Sequence, residues 1–258
     1  MRFSTLSLFP EIIKASTDES MGLKAQMKGL VEIVHAQIRD QAINDYGKVD
    51  DAVYGGGTGM LMMAEPIYQT VEKLQADFRT AHPELDCPQE RLVYMSPRGQ
   101  VLNQAMAYEM AQLDHLIILA GHYEGVDQRV LDKLEAQEVS LGDYVLTGGE
   151  LPAAVLIDVV LRMIDQVLPD KEAWQAESHA SGLLAEDQYT RPEVWRGHRV
   201  PSVLLSGHDA KIERYRKASA LYNTLKARPD LLAAYEVKDE EWRDLLDFIA
   251  DSSYNPKG

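Results

Sequence analysis

The stretch "GDYVLTGGELPAAVLID" (residues 142–158) decides the reading of the fold, because three local patterns meet in it. Its first half reads as a buried strand, and the Gly148–Gly149 pair reads as a tight turn. "ELPAAVLID" opens an amphipathic helix that carries Asp158 and Arg162 one turn apart. A strand that passes through glycine into a helix leaves room for a small ligand, since glycine lets backbone N–H and C=O groups approach closely.

Working outward, the same alternation repeats. "FSTLSLF" alternates as a half-buried strand, and Pro10 with "EIIKAS" opens a helix. "LVEIVHAQI", "RLVYM", "LIILA" and "EVSLGDYVLT" read as strands, with helices over "PIYQTVEKLQADF", "LNQAMAYEMAQL" and "VDQRVLDKLEA". Short β-branched runs alternating with helices predict an α/β fold with a mostly parallel sheet covered on both faces. A helix from about Leu151 to Val167 closes this domain, expected over 1–168. Residues 169–189 are polar and weakly periodic, which predicts a flexible linker. Residues 190–258 turn helical at "HDAKIERYRKASALYNTL" and "DEEWRDLLDFIA".

The chain of 258 residues has ample apolar content for a core. A single cysteine, Cys87, excludes an internal disulfide and a thiol cluster for zinc. No run approaches the roughly 20 apolar residues that span a bilayer, and no apolar h-region follows Arg2, so the expected setting is the cytoplasm, away from membranes. A net charge of −15 argues against nucleic acid only as an average. From Arg191 to Arg228 nine basic residues stand against three acidic ones, a local excess that suits an anionic partner as well as a solvated surface.

Three glycine loops each follow a strand in this reading: "YGGGTGM" (54–60), "AGHYEG" (120–125) and "LTGGE" (146–150). Any one of them is well explained as a tight turn, but three in succession favour a common pocket. G-x-G-x-x-G and G-x-x-x-x-G-K-[ST] are absent, which excludes the ordinary dinucleotide and P-loop sites. H-E-x-x-H and paired C-x-x-C are absent as well, so no metal ligands are assigned.

Taken in order, "SLFPE", "VDDAVYGGGTGMLM", "SPRGQ", "GHYEGVDQRV", "SLGDYVLTGGELPA", "LIDVVLRMI", "YTRPEVWRG" and "VPSVLLSGHDAKIERYR" resemble the bacterial tRNA (guanine-N1)-methyltransferase family over nearly the whole chain. The resemblance implies a SPOUT-class α/β domain with a trefoil knot, a linker, a small all-helical C-terminal domain, and a homodimer with active sites at the subunit interface. The implied reaction moves a methyl group from S-adenosylmethionine to N1 of guanine 37 of tRNA, with magnesium implied by resemblance alone. The alternative is a tRNA-binding protein that keeps the cofactor pocket but has little turnover.

Position by position, the resemblance puts the cofactor against Tyr94, Ser96 and Pro97, then Gly121, Tyr123, Glu124 and Gly125, then Leu141, Gly142, Tyr144, Leu146, Gly148 and Gly149. The lesser reading of Glu124 is a surface carboxylate. Substrate contacts are carried onto Gly57, Gly59, Arg191, Arg214 and Arg216. Two catalytic roles are carried over: an arginine facing guanine O6, matched by Arg162, and a carboxylate taking the N1 proton, matched by Glu177. Without the family, an ion pair between Arg162 and Asp158 is an equal reading. This chain departs from the family's pattern at Glu177, where aspartate is usual. It departs also at Thr58, Ala120 and His122, where proline, cysteine and arginine are frequent.

Overall fold

In the computed structural model, which describes residues 1–168 and 177–250, the first apolar run forms β1 (Arg2–Ser7) and is buried at every position. The chain continues through α1 (Pro10–Thr17), α2 (Ser20–Met27) and β2 (Glu32–Gln37). A short antiparallel pair, β3 (Asp50–Ala52) and β4 (Met60–Met62), brackets the first glycine loop, so that loop joins a hairpin and does not follow a parallel strand. Then come α3 (Ala64–Ala81), β5 (Glu90–Val101), α4 (Gln104–Met110), β6 (His115–Ala120), α5 (Gln128–Lys133), β7 (Gln137–Ser140) and α6 (Glu150–Leu161).

Five strands form one sheet in the order β2-β1-β6-β5-β7, and every pairing in it is parallel. β1 was expected to be half-buried from its alternation; it is an interior strand with helices on both faces, so its Ser4, Thr5 and Ser7 are buried too. One face packs Leu6, Tyr94, Ile117 and Leu119 against Ile67, Val71 and Leu74 of α3 and Val130 and Leu131 of α5. The pleat sends Leu116 and Ile118 to the other face, where α6 lies against β1 and β6 and contacts α1 and α4. Each fully buried aliphatic side chain here contributes about 1.5–3 kcal/mol.

Two expectations about the deciding stretch are corrected. The strand ends at Ser140, and residues 142–147 are irregular. The Ser140 hydroxyl accepts the Gly142 N–H at 3.1 Å and turns the chain out of the sheet. The helix that follows is shorter than expected, ending at Leu161 before a turn. It buries Ala153, Leu156, Ile157 and Val160 while leaving Leu151 and Val155 exposed, so its apolar residues surround it and do not form a single stripe.

The chain divides into two compact units, Met1–Pro169 and Asp170–Gly258. Within the second, a short hairpin, β8 (Val194–Trp195) and β9 (His198–Arg199), precedes α7 (Asp209–Ala227), α8 (Pro229–Ala234) and α9 (Asp239–Ala250). Leu183, Leu221, Leu232 and Leu245 form its core, beside Tyr215, Ala218 and Phe248. Of the expected linker, residues 169–176 lie outside the described residues. Its second half is built into this unit: Leu183 is buried, the Leu184 N–H donates to Thr224 Oγ1 at 2.9 Å, and the Asp187 N–H donates to Ser219 Oγ at 3.1 Å.

Two histidines, His115 buried and His35 half-buried, give the first unit a pH dependence. His115 sits between Glu90 (Nδ1 to Oε1, 3.2 Å) and Ser4 (Nε2 to Oγ, 2.8 Å), and His35 between Thr5 and Thr17. Burial pushes both imidazoles below their ordinary value of 6.5, against the opposing pull of Glu90 and Asp18. As pH falls through that value the unfolded chain takes up these protons first, so stability present above about pH 6.5 is lost below it. Urea midpoints should therefore fall from pH 7 to pH 5, and His115→Gln should make that fall shallower.

Candidate functional site

The carboxyl ends of β5, β6 and β7 open into one cleft of about 220 Å³, walled by residues 94–97, 121–125, 139–141 and 144–149 together with Pro152. Ligands in parallel sheets bind at this end, and each wall has a local cause.

The first wall is a bulge. Val139 of β7 pairs with both Met95 and Gln100 of β5, so residues 96–99 leave the sheet and carry Ser96 and Pro97 to the cleft. Gly99 is required there because a Cβ would stand 2.4 Å from the backbone of Glu138 and Val139. Tyr94 beneath is buried, and burial pushes its phenol above the ordinary value, so it stays a protonated hydrogen-bond donor.

The second wall, residues 121–125, is tied to the hairpin. The Glu124 N–H donates to Met60 O (3.0 Å), the Met62 N–H to Gly125 O (2.9 Å), and the Asp127 N–H to Met62 O (3.0 Å). These bonds bring the loop of Gly57 and Gly59 beside Glu124, where a Cβ on Gly59 would meet the glutamate side chain. Gly57 faces open space.

The third wall answers the deciding stretch. Tyr144, Val145 and Leu146 are exposed, Val145 at 81 %, and they border the cleft instead of the core. Their apolar pattern is that of a ligand wall. The Gly149 N–H donates to Gly121 O at 2.7 Å, and a Cβ on Gly149 would lie 2.7 Å from Gly121 N and 2.8 Å from Ala120 Cα. Beneath this contact Glu150 is buried at 4 % exposure and accepts the Ser7 hydroxyl at 2.7 Å.

The structure thus brings together Tyr94, Ser96, Pro97, Gly121, Tyr123, Glu124, Gly125, Leu141, Tyr144, Leu146, Gly148 and Gly149. Gly142 stays behind in the turn, where its carbonyl accepts the Tyr144 N–H at 2.9 Å. The sequence reading passed over His122, Val145, Thr147 and Pro152, all within or beside the quoted motifs. Arg162 is half-buried and caps the far end of α6, about 20 Å from Gly149 at 1.5 Å per residue. Within one chain it does not line the cleft. Glu177 is exposed at the start of the described part of the second unit.

In that second unit the basic run is partly compensated. Arg214 pairs with Asp244, Arg216 with Glu186 (3.9 Å), Lys217 with Glu241 (3.4 Å), Arg228 with Asp230 (2.6 Å) and Arg199 with Glu193 (2.8 Å). Arg196 lies over the Trp195 ring and Lys226 over the Tyr222 ring. Arg191 and Lys211 are exposed and have no ion pair among the described residues. No helix among the described residues is long and apolar enough to cross a membrane.

Because the Gly149 contact is backbone against backbone, Gly149→Ala must push α6 away from β6. The expected cost is about 1–3 kcal/mol of stability, as for other overpacked sites, read from the urea midpoint.

Comparison with known proteins gives a consistent result. The sequence model described as "tRNA (Guanine-1)-methyltransferase TrmD" matches residues 1–234. A tRNA (guanine-N(1)-)-methyltransferase of Ruminiclostridium cellulolyticum is 45% identical over 231 residues, covering 90% of this chain and 96% of that one. The protein of the same name from Dehalococcoides mccartyi is 42% identical over 257 residues, covering 100% of both chains. Chloroflexus aggregans has one 46% identical over 233 residues, 90% of this chain and 88% of its own. With that model matching residues 1–234 and relatives 42–46% identical over 90% or more of its length, the chain belongs to the tRNA (guanine-1)-methyltransferase family.

Proposed function

We propose that the protein transfers a methyl group from S-adenosylmethionine to N1 of guanine 37 of tRNA, in the cytoplasm and as a homodimer. The observation that carries this reading is the convergence of the three motif loops on one cleft at the ends of β5, β6 and β7.

The residues present suit the cofactor. The Gly121 N–H and the backbone of Gly148 offer close hydrogen bonding, Pro97, Leu141 and Leu146 supply apolar contact, and Glu124 meets a positive charge or ribose hydroxyls. When bound, S-adenosylmethionine supplies an electrophilic methyl group on a positively charged sulfur. The chain's own tasks are to align guanine N1, to remove its proton, and to stabilise the charge that grows on O6. Glu177 is assigned the proton, and Arg162 the charge on O6, since a guanidinium stays ionised and offers several donors. Gly57, Gly59, Arg191, Arg214 and Arg216 remain the proposed tRNA contacts. No group of three or more His, Cys, Asp or Glu side chains suited to a metal occurs among the described residues, and no step through magnesium is derived.

The distances support a second chain. Arg162 stands a helix length from the cleft of its own chain, while Phe9 and Ile12 of the α1 segment and Leu151 and Val155 of α6 leave apolar surface exposed on adjoining elements. Pairing these faces in a two-fold dimer covers that surface and lets one chain's catalytic groups serve the other's cleft. The knot and the helical tRNA-binding domain over 190–258 belong to the same proposal.

Incubation with methyl-labelled S-adenosylmethionine and unmodified tRNA carrying guanine 37 should yield labelled N1-methylguanine. A salt-sensitive tRNA complex without product would instead show a binder. In mixed dimers, Leu146→Trp chains blocked at the cleft and Glu177→Ala chains should together regain activity that neither has alone; no recovery despite proven subunit exchange would remove the shared site.

The charge pattern sets a further expectation. Arg191→Ala with Lys211→Ala should flatten the log–log salt dependence of tRNA binding by about two units. Arg214→Ala should change it much less, because Asp244 already compensates that charge. Filter binding across salt concentrations checks both.

A further inference from the structure

His122 is a polar side chain of the cleft that the reading above does not use. Its ring is held by packing, edge-on to Phe9 at 5.0 Å and stacked on Tyr123 at 5.3 Å. Its backbone N–H is directed to Met62 Sδ at 3.1 Å. The Nδ1 atom is buried and meets no hydrogen-bond partner among the described residues. Buried polar atoms are ordinarily paired, and an orphan left in a binding cleft marks a contact that a ligand completes.

The surroundings fix what kind of contact. A point one Cβ bond from Gly148 lies 2.4 Å from Glu150 Oε2 and 3.6 Å from His122 Nδ1, so the two side chains converge behind the glycine turn. The other carboxylate oxygen of Glu150 accepts the Ser7 hydroxyl, which holds the carboxylate in place. A carboxylate beside an imidazole favours the form that carries a proton on the near nitrogen. Nδ1 is then a donor, and its partner must be an acceptor.

Resting on the S-adenosylmethionine reading, we propose that His122 is a cofactor-binding residue whose Nδ1–H donates to an oxygen acceptor of the bound molecule. That molecule offers two such acceptors, the carboxylate of its amino-acid end and its ribose hydroxyls. Glu150 is the positioning residue that keeps the proton on Nδ1.

The test uses the full-length protein and two ligands, S-adenosylmethionine and 5′-methylthioadenosine, which lacks the amino-acid end. His122→Phe keeps the ring packing and deletes the donor. Calorimetry should show its Kd for S-adenosylmethionine raised roughly 5- to 50-fold, the usual worth of one hydrogen bond in a desolvated site. The thermal midpoint of the ligand-free protein should hold or rise, since a buried orphan atom is gone. His122→Asn, whose amide nitrogen reaches the Nδ1 position, should keep most of the affinity. In wild-type protein the ¹⁵N resonance of His122 Nδ1 should move on saturation with S-adenosylmethionine.

Weakening confined to S-adenosylmethionine identifies the carboxylate as acceptor, and equal weakening of both ligands identifies the ribose; each supports the proposal. Wild-type affinity in His122→Phe together with a still Nδ1 resonance overturns it while leaving the cofactor reading intact. Should His122→Phe fail to fold, the Asn variant and the resonance decide by the same criteria. Failure of the wild-type protein to bind S-adenosylmethionine removes the cofactor reading, and this proposal with it.

Discussion

The approach of Gly149 to the Ala120–Gly121 backbone is the contact on which the rest of the first unit turns. One hydrogen bond of 2.7 Å, with no side chain between, pins the start of α6 to the end of β6. It closes the third wall on the second and sets the height at which residues 144–148 cross the cleft. It also aims α6, and so decides where Arg162 lies at the other end. The buried Ser7–Glu150 hydrogen bond holds the same junction from the side of β1. A site of this kind is built mainly from backbone, and side chains matter there chiefly by being absent.

Much of this was legible in the sequence. Alternating short apolar runs and helices gave the parallel sheet, because strands buried on both faces need continuous apolar residues while their connections need helical spacing. The second and third glycine loops pointed to the cleft while the first, over 54–60, does not line it; the cofactor positions carried over by resemblance border it with Gly142 as the exception, and neither Arg162 nor the substrate positions do. The misreadings share a cause. Residues 144–146 look like a strand because an apolar ligand wall and an apolar core have the same composition, and only the turn held by Ser140 separates them. Leu183 was lost in a polar stretch because a single anchoring leucine has no period. His122 stood out only as a departure from the family's pattern, since an unpaired nitrogen is a property of surroundings.

The second unit shows how charge in sequence differs from charge in space. Its basic run faces acids supplied by α8, α9 and residues 186–193, and pairing leaves Arg191, Arg196, Lys211 and Lys226 as exposed cations without an ion pair among the described residues, Arg196 and Lys226 being set over aromatic rings. Exposed pairs of this sort add little to stability, typically about 0–1 kcal/mol. Their larger effect is on the field, which they reduce at some positions and leave at others. The acidic average of the whole chain and a locally basic surface are thereby compatible.

The wall made by Tyr144, Val145 and Leu146 has one more consequence. These side chains stand in water, Val145 almost entirely, and the hydration they carry has a large heat capacity. Any molecule that covers them sheds that water, so its association enthalpy must become more negative on warming. The loop thus writes a temperature coefficient into recognition at the cleft, and the strength of binding and its balance of enthalpy and entropy drift apart as conditions change.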